Sequence, residues 1–224
     1  MLLVLAISLD GRLAPPDGGA AQLGGSGDRR VLEEALAWAD GVLIGAGTLR
    51  AHRSTCLIRQ AHLVEQRLRQ GRPAQPAALV VSRTAAFARD WLFFRQPLSR
   101  WLLSPTGAEA TANGFDAHIQ LASRWPETLQ ALAKSGLSRL LLLGGAQLCA
   151  GMMQADVVDG LQLTLTPRVL GGQHCWLPAE TLGLPSDLGQ SAAWGLEAVE
   201  RLEGDEVVLR YCRQRSTSVR SGRS

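Results

Sequence analysis

The sequence predicts a three-layer α/β fold: a mixed, mostly parallel central sheet with helices on both faces, closed by a C-terminal antiparallel hairpin. Three observations carry this expectation. Short aliphatic runs alternate with segments whose apolar residues recur every three or four positions, the pattern of buried strands joined by crossover helices. Two of those runs, Gly41-Val42-Leu43-Ile44 and Leu140-Leu141-Leu142-Leu143, lead into Gly45-Ala46-Gly47-Thr48 and Gly144-Gly145-Ala146-Gln147, each reading as strand, tight turn, helix start. The end of the chain differs in kind, because 195–200 and 207–211 flank Gly204-Asp205 as the two arms of a hairpin do.

In order, Leu2 to Ile7 is an aliphatic strand followed by the turn signal Asp10-Gly11 and a glycine-rich loop through Gly27. Asp28 is placed to cap a helix on which Val31, Leu32, Ala35, Leu36 and Ala39 share one face. Val42 to Ile44 is the next strand, with a helix around 62–70 ending at Gly71 and Pro73. Strands follow at 77–81, 101–103 and 117–121, and Pro126 opens a helix through Lys134, since proline in the first turn costs no hydrogen bond. After the Leu140 strand and its turn come a short helix at 147–154 and a strictly alternating strand, Leu161 to Thr166. A Pro- and Gly-rich connection at 167–190 leads to the hairpin.

A glycine turn that opens a helix leaves backbone N–H groups free to point at an anion, and glycine lets a ligand approach the main chain closely. Two such turns on one sheet suggest a cradle for a phosphate-bearing nucleotide. Ser82-Arg83, at the exit of the third strand, is either a site for a phosphate monoester such as the 2′-phosphate of NADP or an ordinary polar strand end. No Gly-x-x-x-x-Gly-Lys-Ser/Thr sequence occurs, which argues against a phosphate-loop nucleotidase.

At 224 residues, with 46% hydrophobic and 19% charged residues, the chain suits one domain over 1–213. The Ser/Arg-rich 214–224 reads as a disordered basic tail, with no aromatic interleaving to suggest nucleic-acid binding. Four scattered cysteines and four scattered histidines form no metal-ligand or dithiol spacing, so no metal is expected. No charged leader precedes Leu2 and no apolar stretch reaches membrane-spanning length, so the expected location is the cytoplasm, with no membrane partner.

Four motifs in register resemble one family. Ser8-Leu9-Asp10-Gly11-Arg12, Asp40 through Thr48, Leu140 through Gln147, and Thr166-Pro167 through Gly171-Gly172 occur in the order and spacing of the pyrimidine reductase domain of riboflavin biosynthesis. The resemblance spans Leu2 to about Arg213 and implies the dihydrofolate-reductase fold. It also implies NADPH-dependent reduction of a 5-amino-6-(5-phosphoribosylamino)uracil-like substrate to its ribitylamino product, and a homodimer built through the C-terminal strands with Val207 to Leu209 as an apolar edge. The His-x-Glu and Pro-Cys-x-x-Cys pair of the family's deaminase portion is absent from this sequence.

The same resemblance assigns Ala6, Gly45, Gly47, Thr48, Ser82, Arg83, Gly144, Gly145, Ala146 and Gln147 to the cofactor. Asp10, Arg12 and Arg59 would meet the substrate, and His52 would meet an anionic group or act as an acid near neutral pH. No residue is assigned a catalytic role. Where the family carries polar anchors, this chain has Leu36, Leu143, His52-Arg53-Ser54 and Ala21-Gln22-Leu23. The alternative expectation is an NADP(H)-binding relative with another substrate or no turnover.

Overall fold

The computed structural model describes residues 1–105 and 114–215. Its nine strands are β1 (Leu2–Ser8), β2 (Gly41–Gly45), β3 (Ala77–Val81), β4 (Arg100–Ser104), β5 (Ala117–Gln120), β6 (Leu140–Leu142), β7 (Gly160–Thr166), β8 (Trp194–Arg201) and β9 (Val207–Arg213). The helices are α1 (Ser26–Trp38), α2 (Ala46–His52), α3 (Ala61–Arg69), α4 (Trp125–Lys134) and α5 (Ala146–Gln154). The strands form one sheet in the order β5-β4-β3-β2-β6-β1-β7-β9-β8. Every pairing from β5 to β7 is parallel, and β9 and β8 add antiparallel at one edge. The expected mixed, mostly parallel sheet with a closing hairpin is the observed one.

Alternation along the strands divides the core into two layers. On one face Val4, Val42, Ile44, Ala78 and Val80 pack with Ala35 and Leu36 of α1, Leu49 of α2 and Leu63 of α3. On the other, Leu3, Leu5, Ile7, Leu43, Leu79 and Leu142 pack with Leu132 of α4 and Leu148, Cys149 and Met152 of α5. Strands covered on both faces must be apolar at every position, which is why they appear in the sequence as continuous aliphatic runs.

Three expectations need correction or limits. Asp28 does not cap α1: the helix begins at Ser26, with Gly25 as its cap residue and Asp28 inside the first turn. The capping carboxylate comes instead from Glu206, just before β9, which accepts from the amides of Gly25 at 2.7 Å and Asp28 at 3.3 Å. Val207 to Leu209 is not an edge, because β9 lies between β7 and β8 and Val208 is fully buried; the edge belongs to β8, which exposes Leu196 and Val199. Of the expected tail, Gln214 donates its amide to Ala193 and Arg215 pairs with Asp156 and Asp159, while 216–224 lie outside the described residues. Among the described residues no helix is long and apolar enough to cross a membrane.

The C-terminus of α1 is closed by arginines from elsewhere. Arg67 of α3, 1% exposed, donates through Nη1 to the carbonyls of Leu36, Ala37 and Ala39 and through Nε to that of Pro73. Arg72 adds bonds to the carbonyls of Ala37 and Trp38. These carbonyls are the orphan acceptors of a helix end, and cations there also complement the helix dipole. Burial and the neighbouring Arg72 lower the Arg67 pKa to about 10, still well above neutral, so the guanidinium stays charged. Asp40 supplies the countercharge, bonding both Arg72 and Arg139 at 2.9 Å.

Replacing Arg67 by Met keeps the apolar volume and strands those buried acceptors. Arg67→Met should cost on the order of 3 kcal/mol, read as a shift in the urea unfolding midpoint; an unchanged midpoint would show that the carbonyls find other donors.

Candidate functional site

The two glycine turns emerge side by side, because β2 and β6 are neighbours in the sheet with Gly41, Val42 and Leu43 opposite Leu140, Leu141 and Leu142. The ladder continues into the turns, with the Leu143 amide donating to Leu43 and the Gly45 amide to Gly144, each at 3.0 Å. The bends also touch: a Cβ at Gly145 would lie 2.9 Å from the Thr48 hydroxyl, closer than any side chain tolerates. Gly144 has φ +100°, a conformation that favours glycine, and the Gly144–Gly145 peptide is cis. A Cβ at Gly47 would meet nothing within 4 Å, so this turn opens onto space.

That space is a cleft of about 550 Å³ lined by both turns, by Val4, Leu5 and Ala6 of β1, by Asp28, Arg29 and Glu33 of α1, and by the loop before α1. The remaining wall is the extended segment 54–60, with His52 at its start and His174 and Cys175 across from it. This wall has no ladder of its own, so two buried glutamines supply the pairing. Gln96 exchanges two bonds with Thr55, and Gln75 exchanges two with Ile58, all at 2.7–2.9 Å. Glu33, 3% exposed, accepts from the amides of Arg59 and Gln60 at 2.8 Å each. Irregular backbone is thereby held still by side chains that satisfy its polar groups.

Of the cofactor residues expected from sequence, Ala6, Gly47, Thr48, Gly144, Gly145 and Ala146 line this cleft. Gly45 sits directly behind them in the turn-to-turn bond. Gln147 is exposed on α5 outside the lining. Ser82 and Arg83 leave the end of β3, next to β2, but outside the cleft; the Ser82 hydroxyl accepts from the Thr84 amide at 3.3 Å and Arg83 is exposed. Of the substrate residues, His52 and Arg59 line the cleft. Desolvation pushes the His52 pKa below the ordinary histidine value, which favours the neutral imidazole.

Asp10 and Arg12 do not line it. The Asp10 carboxylate accepts from the Ser8 hydroxyl at 2.5 Å and from the amides of Leu170 and Gly171 at 3.0 and 2.7 Å, clasping the loop after β7 to the end of β1. Arg12 lies against Asp10, at 3.5 Å, and against the Cys175 sulfur, and so supports the rim from behind. The Asp10 pKa is held far below the usual carboxylate range, chiefly by the Ser8 bond and then by the Leu170 amide.

One titratable residue of the cleft was read from the sequence only as a helix cap. The Asp28 carboxyl is pushed above its ordinary pKa, first by burial and then by the negative charge of Glu206, against a lowering bond from the Thr164 hydroxyl. Its only sequence signal was a position before an apolar helical stripe, which reads equally well as a cap. Leu143 stands in the cleft wall, whereas Leu36 is fully buried in the layer beneath α1.

The chain matches the family described as the RibD C-terminal domain over residues 1–203. It is 24% identical over 183 residues to the 2,5-diamino-6-ribosylamino-4(3H)-pyrimidinone 5′-phosphate reductase of Archaeoglobus fulgidus, covering 75% of this chain and 80% of that one. It is also 24% identical to the riboflavin biosynthesis protein RibD of Haemophilus influenzae, covering 93% of this chain but 57% of the longer relative. Among solved structures, a pyrimidine reductase-like protein from Corynebacterium diphtheriae superimposes with TM-score 0.75 at 19% identity, over 96% of this chain and 91% of that one. Dihydrofolate reductase from Enterococcus faecalis complexed with NADP(H) shares the fold at TM-score 0.52 and 12% identity, over 96% and 97%.

Because its folded-state pKa lies below 3.8, Asp10 contributes stability that is present above that pH and is lost as the pH falls through the folded value. Asp10→Asn should therefore lower the melting temperature at neutral pH, with a deficit that narrows in acid. Thermal melts across pH check this, and a deficit independent of pH would contradict it.

Proposed function

The chain belongs to the RibD C-terminal domain family, and from that premise we propose that it is an NADPH-dependent oxidoreductase that reduces a 5-amino-6-(5-phosphoribosylamino)uracil-like substrate to the ribitylamino product. The observation that carries the reading is the convergence of two glycine turns from adjacent parallel strands on one cleft, at the carboxyl ends of the strands where open α/β sheets bind ligands.

The residues present fit such a cofactor. The turns at Gly47, Thr48, Gly144, Gly145 and Ala146 line the cleft, and at Gly47, where a Cβ would meet nothing within 4 Å, the main chain is bare enough for a diphosphate to approach. Ala6 leaves room on β1 for the nicotinamide end, and Ser82 and Arg83, one strand further along, are the candidates for the 2′-phosphate. When bound, reduced nicotinamide supplies a hydride to C1′ of the opened sugar. The protein's share is placement and the exclusion of water, for which Val4, Leu5, Ile44 and Leu143 provide an apolar wall. At the mouth, Arg29 and Arg59 are exposed and line the cleft, a cationic edge suited to the substrate phosphate, with the His52 imidazole beside them.

Leu143 in the wall supports the second reading, a relative with an altered substrate or no turnover. We also propose a homodimer, now through the β8 edge with Leu196 and Val199, and a cytoplasmic location.

Purified chain mixed with NADPH and 5-amino-6-(5-phosphoribosylamino)uracil should consume reduced nicotinamide, followed by its absorbance; binding without consumption would favour the second reading. Gly47→Leu adds a side chain in a helical position with open space around it, so folding should be unaffected. It should weaken NADPH at least about tenfold in calorimetry, equivalent to about 1.4 kcal/mol. Unchanged affinity would contradict the cradle.

A further inference from the structure

The proposed reaction needs a proton as well as a hydride, because the sugar ring must open before C1′ can be reduced. Several proton-bearing groups line the cleft, and they are not equivalent. His52 is pushed toward its neutral form, and Glu33 spends one oxygen on two backbone amides. Asp28 is different in position. Its carboxyl bonds the hydroxyl of Thr164 on β7, and Thr164 is the direct register partner of Ala6 on β1. Register partners in a parallel pair point to the same face about 4.8 Å apart, so Asp28 sits over the cleft at Ala6 on the β7 side of β1, whereas the glycine turns lie on its β6 side.

The surrounding chain is shaped to admit that carboxyl. A Cβ at Gly24 would collide with it, and the Asp28 amide is pinned by buried Glu206. The charged and titratable groups that act on it are Glu206 ahead of β9, Arg29 on its own helix and Cys56 on the segment 54–60, and Glu33 and Arg59 line the same cleft. His52 and His174 complete the rim.

We propose that Asp28 is the proton donor, its carboxylic acid protonating the ribose ring oxygen as the bond from that oxygen to C1′ breaks. The oxygen keeps the bonding pair and becomes the 4′-hydroxyl. The lone pair of the exocyclic nitrogen forms the C1′=N bond, leaving a cation opposite the new Asp28 carboxylate. C1′ then accepts a hydride as reduced nicotinamide is oxidised, which discharges the cation, and Asp28 regains a proton from water. The inference rests on the reductase reading above. Burial and Glu206 keep the acid protonated to higher pH than an ordinary aspartate, which is what a donor requires.

The test compares wild type, Asp28→Asn and Asp28→Glu with NADPH and the phosphoribosylamino-pyrimidine across pH, alongside NADPH calorimetry and thermal melts. Asp28→Asn should lower kcat about 10²- to 10⁴-fold and abolish the alkaline limb of the kcat/KM profile, while NADPH affinity stays within about twofold. Asp28→Glu should keep that limb and part of the rate. Since the folded pKa is raised, the stability Asp28 contributes is full below 3.8 and is lost as pH rises through the folded value. Asp28→Asn should therefore be the more stable protein at alkaline pH and closest to wild type in acid.

Retention of kcat within about threefold in Asp28→Asn, persistence of the alkaline limb, or a loss of NADPH affinity in step with rate would each overturn the donor role while leaving the reductase reading intact. A wild type that binds NADPH and consumes none overturns both.

Discussion

The parallel pairing of β6 between β2 and β1 is the constraint from which the rest follows. It brings the carboxyl ends of three strands out at one place, so that two turns separated by about a hundred residues share a hydrogen bond from Gly45 to Gly144. Once those strands are in register, the turns need glycine where they abut each other, and the helices α2 and α5 must begin there. A slip of one residue would turn every side chain of β6 to the wrong layer, and both apolar layers oppose it.

Helix α1 is the second element on which the site depends, and it is held by charge at both ends. Glu206 satisfies amides at its start and Arg67 with Arg72 satisfies carbonyls at its end, each sign matching the helix dipole. Glu206 is 4% exposed and Arg67 1%, so these contacts are little screened. The first turn of this fixed helix carries Asp28 and Arg29 into the cleft, and one turn later Glu33 holds the opposite wall through the amides of Arg59 and Gln60. Fold and site are thus linked through one helix, whose placement follows from side chains remote in sequence.

Most of the fold was legible in the sequence because its strands are buried on both faces, which leaves uninterrupted aliphatic runs between glycine and proline signals. The order of the last two strands was not, since a hairpin pattern does not say which arm docks on β7. The clue lay in β8, where Glu197, Glu200 and Arg201 are charges that an edge strand carries and an interior strand does not. The glycine half of the site could be read from turns alone. Asp10 and Arg12 stood in a recognisable motif, yet their partners, the amides of Leu170 and Gly171 and the sulfur of Cys175, are some 160 residues away and turn them into loop supports. Asp28 shows the converse: its meaning depends on Thr164 and Glu206, which only the β1–β7–β9 ladder brings to it.

The claim at the centre of this account is that backbone amides of both bends together hold a reduced dinucleotide. Amide hydrogen exchange with and without NADPH tests it most directly, because it reads those N–H groups and not turnover. Slowed exchange in 45–48 and in 144–147 at the same nucleotide concentration is the result expected. Slowing in only one of the two segments, or in neither while the nucleotide is bound elsewhere, would contradict it.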